Sequence, residues 1–261
     1  MNMRDLLVRG MLAGIIASVL ATAFAFTVGE PAIERAIAIE EQNAAAGMPA
    51  GHDHGVMAAT ATATAAEAEE ASPVSRELQR TVGLVAGTLA LGVAFGGVFA
   101  IVFAFARGRL GITSDRGTAL TVAVLTFVAF YLVPFLKYPA NPPAVGHGET
   151  IEARTAAYVG MLLASVLLMI AAVILQRWLA EVRSRWDASI LAGIVFGALV
   201  VAVSLLMPGF SEVPEGFPAD VLWHFRLASL GTQLTMWLGI GLAFGVLMDR
   251  AARPVAQAAQ R

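Results

Sequence analysis

The chain contains no cysteine and only one lysine, Lys137. Without cysteine, the protein has neither a disulfide framework nor a thiolate metal site. A P-loop needs a lysine directly behind a glycine, whereas Lys137 follows Leu136. These absences exclude a disulfide-stapled fold, a thiolate metal centre and a P-loop ATPase within this chain.

Charged residues are also scarce. They make up 14% of the 261 residues, against about 25% in a typical soluble domain. Hydrophobic residues make up 58%, and the mean hydropathy is +0.74. A chain with so little polar surface must use lipid as part of its solvent.

Six windows without a charged residue are long enough to cross a membrane. A bilayer core of about 30 Å needs about 20 apolar residues, and charges are costly at its centre. The windows cover residues 10–29, 81–106, 117–136, 155–176, 188–211 and 227–248. The glycine pairs Gly10/Gly14, Gly83/Gly87, Gly92/Gly96, Gly193/Gly197 and Gly241/Gly245 have the spacing that allows close helix packing. We therefore predict an all-α membrane protein, a polytopic bundle of six transmembrane helices.

The first window has a second interpretation, as a secretory signal peptide. Ala21-Thr22-Ala23 and Ala23-Phe24-Ala25 resemble signal-peptidase sites. The apolar stretch is longer than the usual ~7–15 residues of a signal peptide, so retention is favoured. Cleavage would leave a bundle of five helices.

The loops carry their charges asymmetrically. If the N-terminus lies in the cytoplasm, 11 of the 17 basic residues face the cytoplasm and 14 of the 19 acidic residues face outside. Basic residues are enriched in cytoplasmic loops, which predicts an inner-membrane protein that is N-in, C-in. The predicted division is a first transmembrane helix (1–29), an outer acidic loop (30–81), a five-helix bundle (82–248) and a cytoplasmic tail (249–261).

The outer loop 30–81 is the only long one. It opens with Glu30-Pro31, a helix-start signal, and we predict a short amphipathic helix over 30–41. This helix either lies on the outer surface or continues the first span. A His52-Asp53-His54 segment follows, and then an Ala/Thr/Glu-rich stretch over 58–71 that is typical of a flexible tether.

All four histidines fall on the predicted outer face, beside carboxylates. Imidazole suits divalent transition metals, and carboxylates attract cations. The candidate metal ligands are His52, His54, His147, His224, Glu30, Glu34 and Glu149. The alternative interpretation is that these are solvated loop or interfacial residues. No nucleophile–base pair and no intramembrane carboxylate pair is evident, so we expect neither an enzyme nor an organic cofactor, and no nucleic-acid partner.

Three features resemble the CbtA family of cobalt transporter subunits. They are the acidic segment 30–41, the His-Asp-His loop, and a string over 133–143 that contains Phe-Leu-Lys-Tyr-Pro-Ala-Asn-Pro-Pro at 135–143. The resemblance covers nearly the whole chain. It implies bacterial cobalt uptake tied to cobalamin synthesis, with CbtB, a small single-span histidine-rich protein, as the partner. Family descriptions often give five spans, one fewer than the windows found here.

The expected function is therefore a membrane subunit of a transition-metal uptake system. Cobalt is the expected transported substrate, and nickel is the alternative ion because both accept nitrogen and oxygen ligands. A second hypothesis is a non-transporting membrane scaffold or assembly factor for a metal-handling partner.

Overall fold

The computed structural model of the protein describes residues 2–45 and 76–258. In these residues the chain forms six long helices and no β-strand. Helix α1 comprises Met3–Phe24, Ala25–Gly29 and Glu30–Ala45; α2 comprises Arg76–Leu78, Gln79–Gly83 and Leu84–Ala106; α3 comprises Asp115–Thr126, Phe127–Leu132 and Val133–Lys137. Helix α4 comprises Gly148–Thr150 and Ile151–Leu179, α5 is Arg185–Leu206, and α6 is Ala219–Ala258.

All six helices are long and apolar enough to cross a membrane, which confirms the predicted number of spans. Most of the helices extend beyond the charge-free windows at one end or both, but α5 is shorter than its window at the C-terminal end. Helix α5 ends at Leu206, before the window 188–211 does, because the extended backbone of Met207 precedes Pro208. A residue before proline is disfavoured in the helical conformation.

Helix α1 continues past the apolar window without a break. Of the two arrangements predicted for the segment after Glu30, the structure has the continuation of the first span. The junction Ala25–Gly29 is a π-helical turn, which is wider than an α-turn. The 41 residues of Met3–Asn43, which include most of the apolar and acidic parts of α1, span about 60 Å at 1.5 Å per residue. That length is about twice the hydrocarbon thickness of a bilayer.

Helix α1 packs against α2 on one side and α6 on the other. At the α1–α2 seam, a Cβ added to Gly14 would lie 1.9 Å from the Gly92 carbonyl oxygen, and one added to Gly10 would lie 2.2 Å from the Gly96 oxygen. The two backbones therefore touch where only glycine fits. Further along the seam, the Ser18 hydroxyl lies 3.0 Å from the carbonyl oxygen of Thr88.

Aromatic rings fill the space between α1, α2, α3 and α6. The Trp237 ring stacks on Phe95 at 5.1 Å, and the Phe244 ring meets Phe103 edge-on at 4.8 Å. The ring cluster consists of Phe95, Phe99, Phe103, Phe130, Trp237 and Phe244. The centre of this four-helix core is thus occupied by apolar side chains.

Helices α4 and α5 form a hairpin at the edge of this core. Helix α4 packs on α3, and α5 packs mainly on α4. Only 6% of the most apolar window of α5 is buried, against 39% for α3 and α6. The membrane-spanning part is therefore a tight four-helix core with a peripheral hairpin.

One side-chain bond ties the hairpin to the core. In the π-helical turn of α3, the Val133 N–H bonds to the Val128 carbonyl. The next bond of this pattern would need an N–H at Pro134, which has none. The Ala129 carbonyl left over accepts a hydrogen bond from the fully buried hydroxyl of Ser165 in α4.

The helix ends form two polar regions of opposite character. We call residues 30–45, 76–80, 138–150 and 207–226 the acidic end, and residues 2–9, 107–116, 177–187 and 249–258 the basic end. At the basic end, Arg107 pairs with Asp115 at 2.7 Å and Arg116 pairs with Asp249 at 3.1 Å. These pairs link α2 to α3 and α3 to α6.

Candidate functional site

The loop between α3 and α4, residues 138–147, is folded into the acidic end. Loops normally run over the surface, yet Pro142, Ala144, Val145 and Gly146 are buried. Ala144 adopts a left-handed backbone conformation, with φ of 65°. The three prolines of the loop prevent regular helix, so the chain turns back into the bundle instead of extending from it.

Two side chains fix the first half of this loop. The Tyr138 hydroxyl donates a hydrogen bond to the Pro208 carbonyl at 2.8 Å. Burial raises the pKa of the Tyr138 phenol, which keeps the donor protonated. From α6, the Arg226 guanidinium donates to the carbonyl of Ala140 at 3.3 Å and to the side-chain oxygen of Asn141 at 3.1 Å. The loop is thereby tied to the α5–α6 connection and to α6.

The second half of the loop is held by Glu212, a buried carboxylate with 6% of its surface exposed. One carboxylate oxygen accepts the backbone N–H of His147 at 2.8 Å, and the other lies 3.0 Å from the Thr150 hydroxyl. The Arg154 guanidinium is 3.9 Å from the same carboxylate and also reaches the His147 carbonyl at 3.4 Å. Glu212 therefore joins the α5–α6 connection to the start of α4.

These contacts leave the predicted ligand His147 with a fixed backbone and an exposed side chain. Glu149, another predicted ligand, lies two residues further along in a short 3-10 turn and is also exposed. An imidazole and a carboxylate therefore face solvent together at the mouth of the loop.

His224, in the first turns of α6, has one of its ring nitrogens engaged. Its Nδ1 atom lies 2.6 Å from the Asp220 carbonyl oxygen. A carbonyl oxygen can only accept, so Nδ1 carries a proton, and in the neutral imidazole the lone pair is on Nε2. Metal-binding histidines commonly show this arrangement, in which one nitrogen is oriented by a carbonyl.

The predicted ligands on α1 are placed differently. Glu34 forms an ion pair with Arg80 of α2, so its carboxylate is already engaged with a cation. Glu30 is 8% exposed, and it lies at the start of the acidic part of α1. The structure thus buries Glu30 at the end of the bundle, whereas Glu34 stays exposed and paired with Arg80.

The structure does not bring the predicted ligands into one metal site. His52, His54 and the stretch 58–71 lie outside the described residues. Within residues 2–45 and 76–258, no group of three or more His, Asp or Glu side chains is arranged to hold a metal ion. The metal assignments for His147, His224, Glu30, Glu34 and Glu149 therefore stay predictions.

Sequence reasoning did not single out the residues that hold the loop. Glu212 stands in a Pro-rich segment beside Glu215, and nothing in the sequence distinguishes the buried acid from the exposed one. Arg154 and Arg226 were counted only as charges of the predicted outer face. One available signal was that these arginines begin long apolar helices, where a charge needs a partner.

The six helices and the structured polar end define a multi-pass membrane protein with ordered side chains at one mouth of its bundle. A family model described as "Probable cobalt transporter subunit (CbtA)" matches residues 3–249. The chain belongs to the CbtA family, which confirms the resemblance seen in the sequence. The family description implies cobalt as the transported substrate and the chain as one subunit of a transport system. No curated protein and no solved structure matches the chain.

Proposed function

We propose that the protein captures hydrated divalent cobalt at its acidic end and passes it between helices into a bacterial cell. The single observation that supports this best is the exposed imidazole of His147, held on a loop whose backbone is fixed by the buried Glu212. A fixed backbone lowers the entropy cost of ordering a ligand side chain when the ion binds.

The ligand set in this proposal combines nitrogen and oxygen donors. His147 and Glu149 supply one pair, the His52-Asp53-His54 segment supplies another, and water completes the shell. Nε2 of His224 is a further donor at the same end. Nickel takes the same donors, so these residues favour a class of ion rather than cobalt alone.

The route through the bundle is proposed to avoid the centre of the four-helix core. That centre is filled by the aromatic cluster around Trp237, which offers no ligand to a divalent ion. The buried loop instead lies where α3, α4 and α6 reach the acidic end, and we place the entrance there. A divalent ion moving inward gains about 4.6 kcal/mol per 100 mV of membrane potential, so the potential is a sufficient driving force in this scheme.

The further subunit of the system is proposed to be the small single-span, histidine-rich CbtB-like protein. The loosely packed hairpin of α4 and α5 leaves room for an additional helix beside the core. Scaffolding of that partner, without transport by this chain, is the alternative function.

Cellular uptake of radioactive cobalt tests the proposal. The strain lacks other cobalt importers and expresses the chain with and without its partner, as wild type, as His147→Ala, as His52→Ala/His54→Ala, and as the triple variant that combines all three substitutions. We expect cobalt uptake by the wild-type chain to exceed the vector level. In the triple histidine variant, uptake should fall about tenfold, as is typical when groups that support metal binding are removed. Gln42→Ala, an exposed change on α1 at the same end, is the matched control. Because imidazole binds metals only when neutral, uptake should also fall below about pH 6.

The outcomes separate the two functions. If the triple variant takes up as much cobalt as Gln42→Ala does, the three histidines are not part of the pathway. Absence of uptake in every combination, with the protein correctly inserted, would overturn transport and leave the scaffold.

A further inference from the structure

The loop 138–147 has the burial of a core segment although it lacks regular secondary structure. Val145, near its middle, is 1% exposed. Its backbone N–H closes a local turn by bonding to the Pro142 carbonyl at 3.2 Å. Its position therefore depends on side chains that reach the loop from elsewhere.

Those side chains come from three separate parts of the acidic end. Arg226 of α6 holds Ala140 and Asn141, and the Pro208 carbonyl holds Tyr138. Glu212 holds the second half through the backbone of His147 and the hydroxyl of Thr150, and Arg154 of α4 also reaches the His147 carbonyl.

The free energy of the Glu212 contacts depends strongly on the presence of both partners. A hydrogen bond to an ionised group is stronger than a neutral one, and a buried donor left without its acceptor keeps its full desolvation cost. Loss of the carboxylate would remove the acceptor of the His147 N–H and the oxygen that the Thr150 hydroxyl contacts. Release of the loop to water removes both penalties at once.

We propose that residues 138–147 form a hinged cover over the acidic end of α3, α4 and α6, and that Glu212 is its latch. Tyr138 and Arg226 hold the hinge side, and the half from Ala144 to His147 is the part that swings outward. This cover deepens the proposed function, because it would control access to the entrance placed beneath it, but the movement itself requires no transport.

The absence of cysteine makes the movement measurable. Val145→Cys supplies one buried thiol, and its rate of reaction with a membrane-impermeant maleimide reports opening of the cover. In membranes without cobalt, we expect slow labelling of this variant and about tenfold faster labelling when Glu212→Ala is added, the ratio given by loss of one charged hydrogen bond. Glu215→Ala, three residues away and exposed, is the matched control and should leave the rate unchanged.

A second reporter distinguishes local opening from unfolding. Val122→Cys lies in the core of α3 and is 3% exposed; it should stay unreactive in detergent when Glu212→Ala is present. If Val122→Cys reacts, the test is repeated with Thr150→Val, which removes one contact of Glu212 and keeps the carboxylate. Faster labelling of Val145→Cys in the Thr150→Val background supports the latch. Equal labelling rates in the Glu212 or Thr150 variant and the Glu215 control would overturn the proposal. Because no cobalt is used, failure of the uptake experiment would leave this result standing.

Discussion

At the scale of single residues, the described part of the bundle shows how one missing N–H is compensated across a helix interface. Pro134 cannot continue the π-helical pattern of α3, and the Ala129 carbonyl would stay unsatisfied in a medium without water. The hydroxyl of Ser165 supplies the missing donor from α4. The carbonyl that Pro134 leaves free is thus one of the points at which the peripheral hairpin attaches to the core.

Ser165→Ala should therefore destabilise the folded protein. We expect a loss of about 0.5–2 kcal/mol in the free energy of unfolding, the range of hydrogen bonds between transmembrane helices. Ser189→Ala is the control, because that hydroxyl bonds only within its own helix, to the Arg185 carbonyl at 2.8 Å. Unfolding of the purified protein in mixed micelles measures both changes, and equal stability of the two variants would contradict the assignment.

At the scale of helices, the same sequence pattern has different roles in different places. The pairs Gly10/Gly14 and Gly92/Gly96 pack backbone against backbone, whereas a Cβ added to Gly193 or Gly197 would meet nothing within 4 Å. Gly-x3-Gly spacing permits a close approach but does not show which helix face is used. The pattern predicted close packing in both places, and the structure has it at the α1–α2 seam.

A pair of glycine substitutions tests this difference. Gly14→Val places a side chain against the Gly92 carbonyl and should cost about 3 kcal/mol or more, beyond the usual range of overpacking. Gly193→Val occupies open space and should leave the folded fraction in detergent near the wild-type value. Size-exclusion profiles and thermal melting of the two variants provide the comparison. A stable Gly14→Val protein would mean that α1 and α2 are not in contact at this depth.

At the scale of the whole molecule, charge divides the protein into two ends. The acidic end carries the folded loop, and the basic end carries the ion pairs Arg107–Asp115 and Arg116–Asp249. The helices cross between these ends in alternation, so the orientation of one helix determines that of the other five. The excess of arginine at the basic end predicts that this end faces the cytoplasm.

Cysteine reporters test that orientation. Gln42→Cys at the acidic end and Glu181→Cys at the basic end are both exposed positions. An impermeant maleimide added to intact spheroplasts should label Gln42→Cys at once and Glu181→Cys only after permeabilisation. The reverse pattern would place the acidic end in the cytoplasm and contradict the N-in, C-in prediction.

The spans were predictable because the physics that defines them is local. A run of about 20 apolar residues is favourable in lipid wherever the rest of the chain lies. The buried loop was not predictable, because its position depends on contacts between distant residues. Glu212 and His147 are separated by 65 positions, and in the sequence Glu212 resembles Glu215 in every local respect. The continuation of α1 to Ala45 was not predictable from the sequence either, because Glu30-Pro31 favours the start of a new helix and a proline inside a helix removes a backbone hydrogen bond.

The packing order of the helices also bears on how the protein is made. Helix α3 meets its main partner in α6, and α1 packs on α6 as well as on α2; α6 is the last of the six helices to leave the ribosome. A nascent chain can close the α1–α2 pair early, but both remaining seams stay open to lipid until the final helix inserts. A chain truncated before α6 would keep its hydrophobic spans and still lack a finished core. Membrane quality-control proteases would then distinguish it from the complete protein by those uncovered seams rather than by a failure to insert.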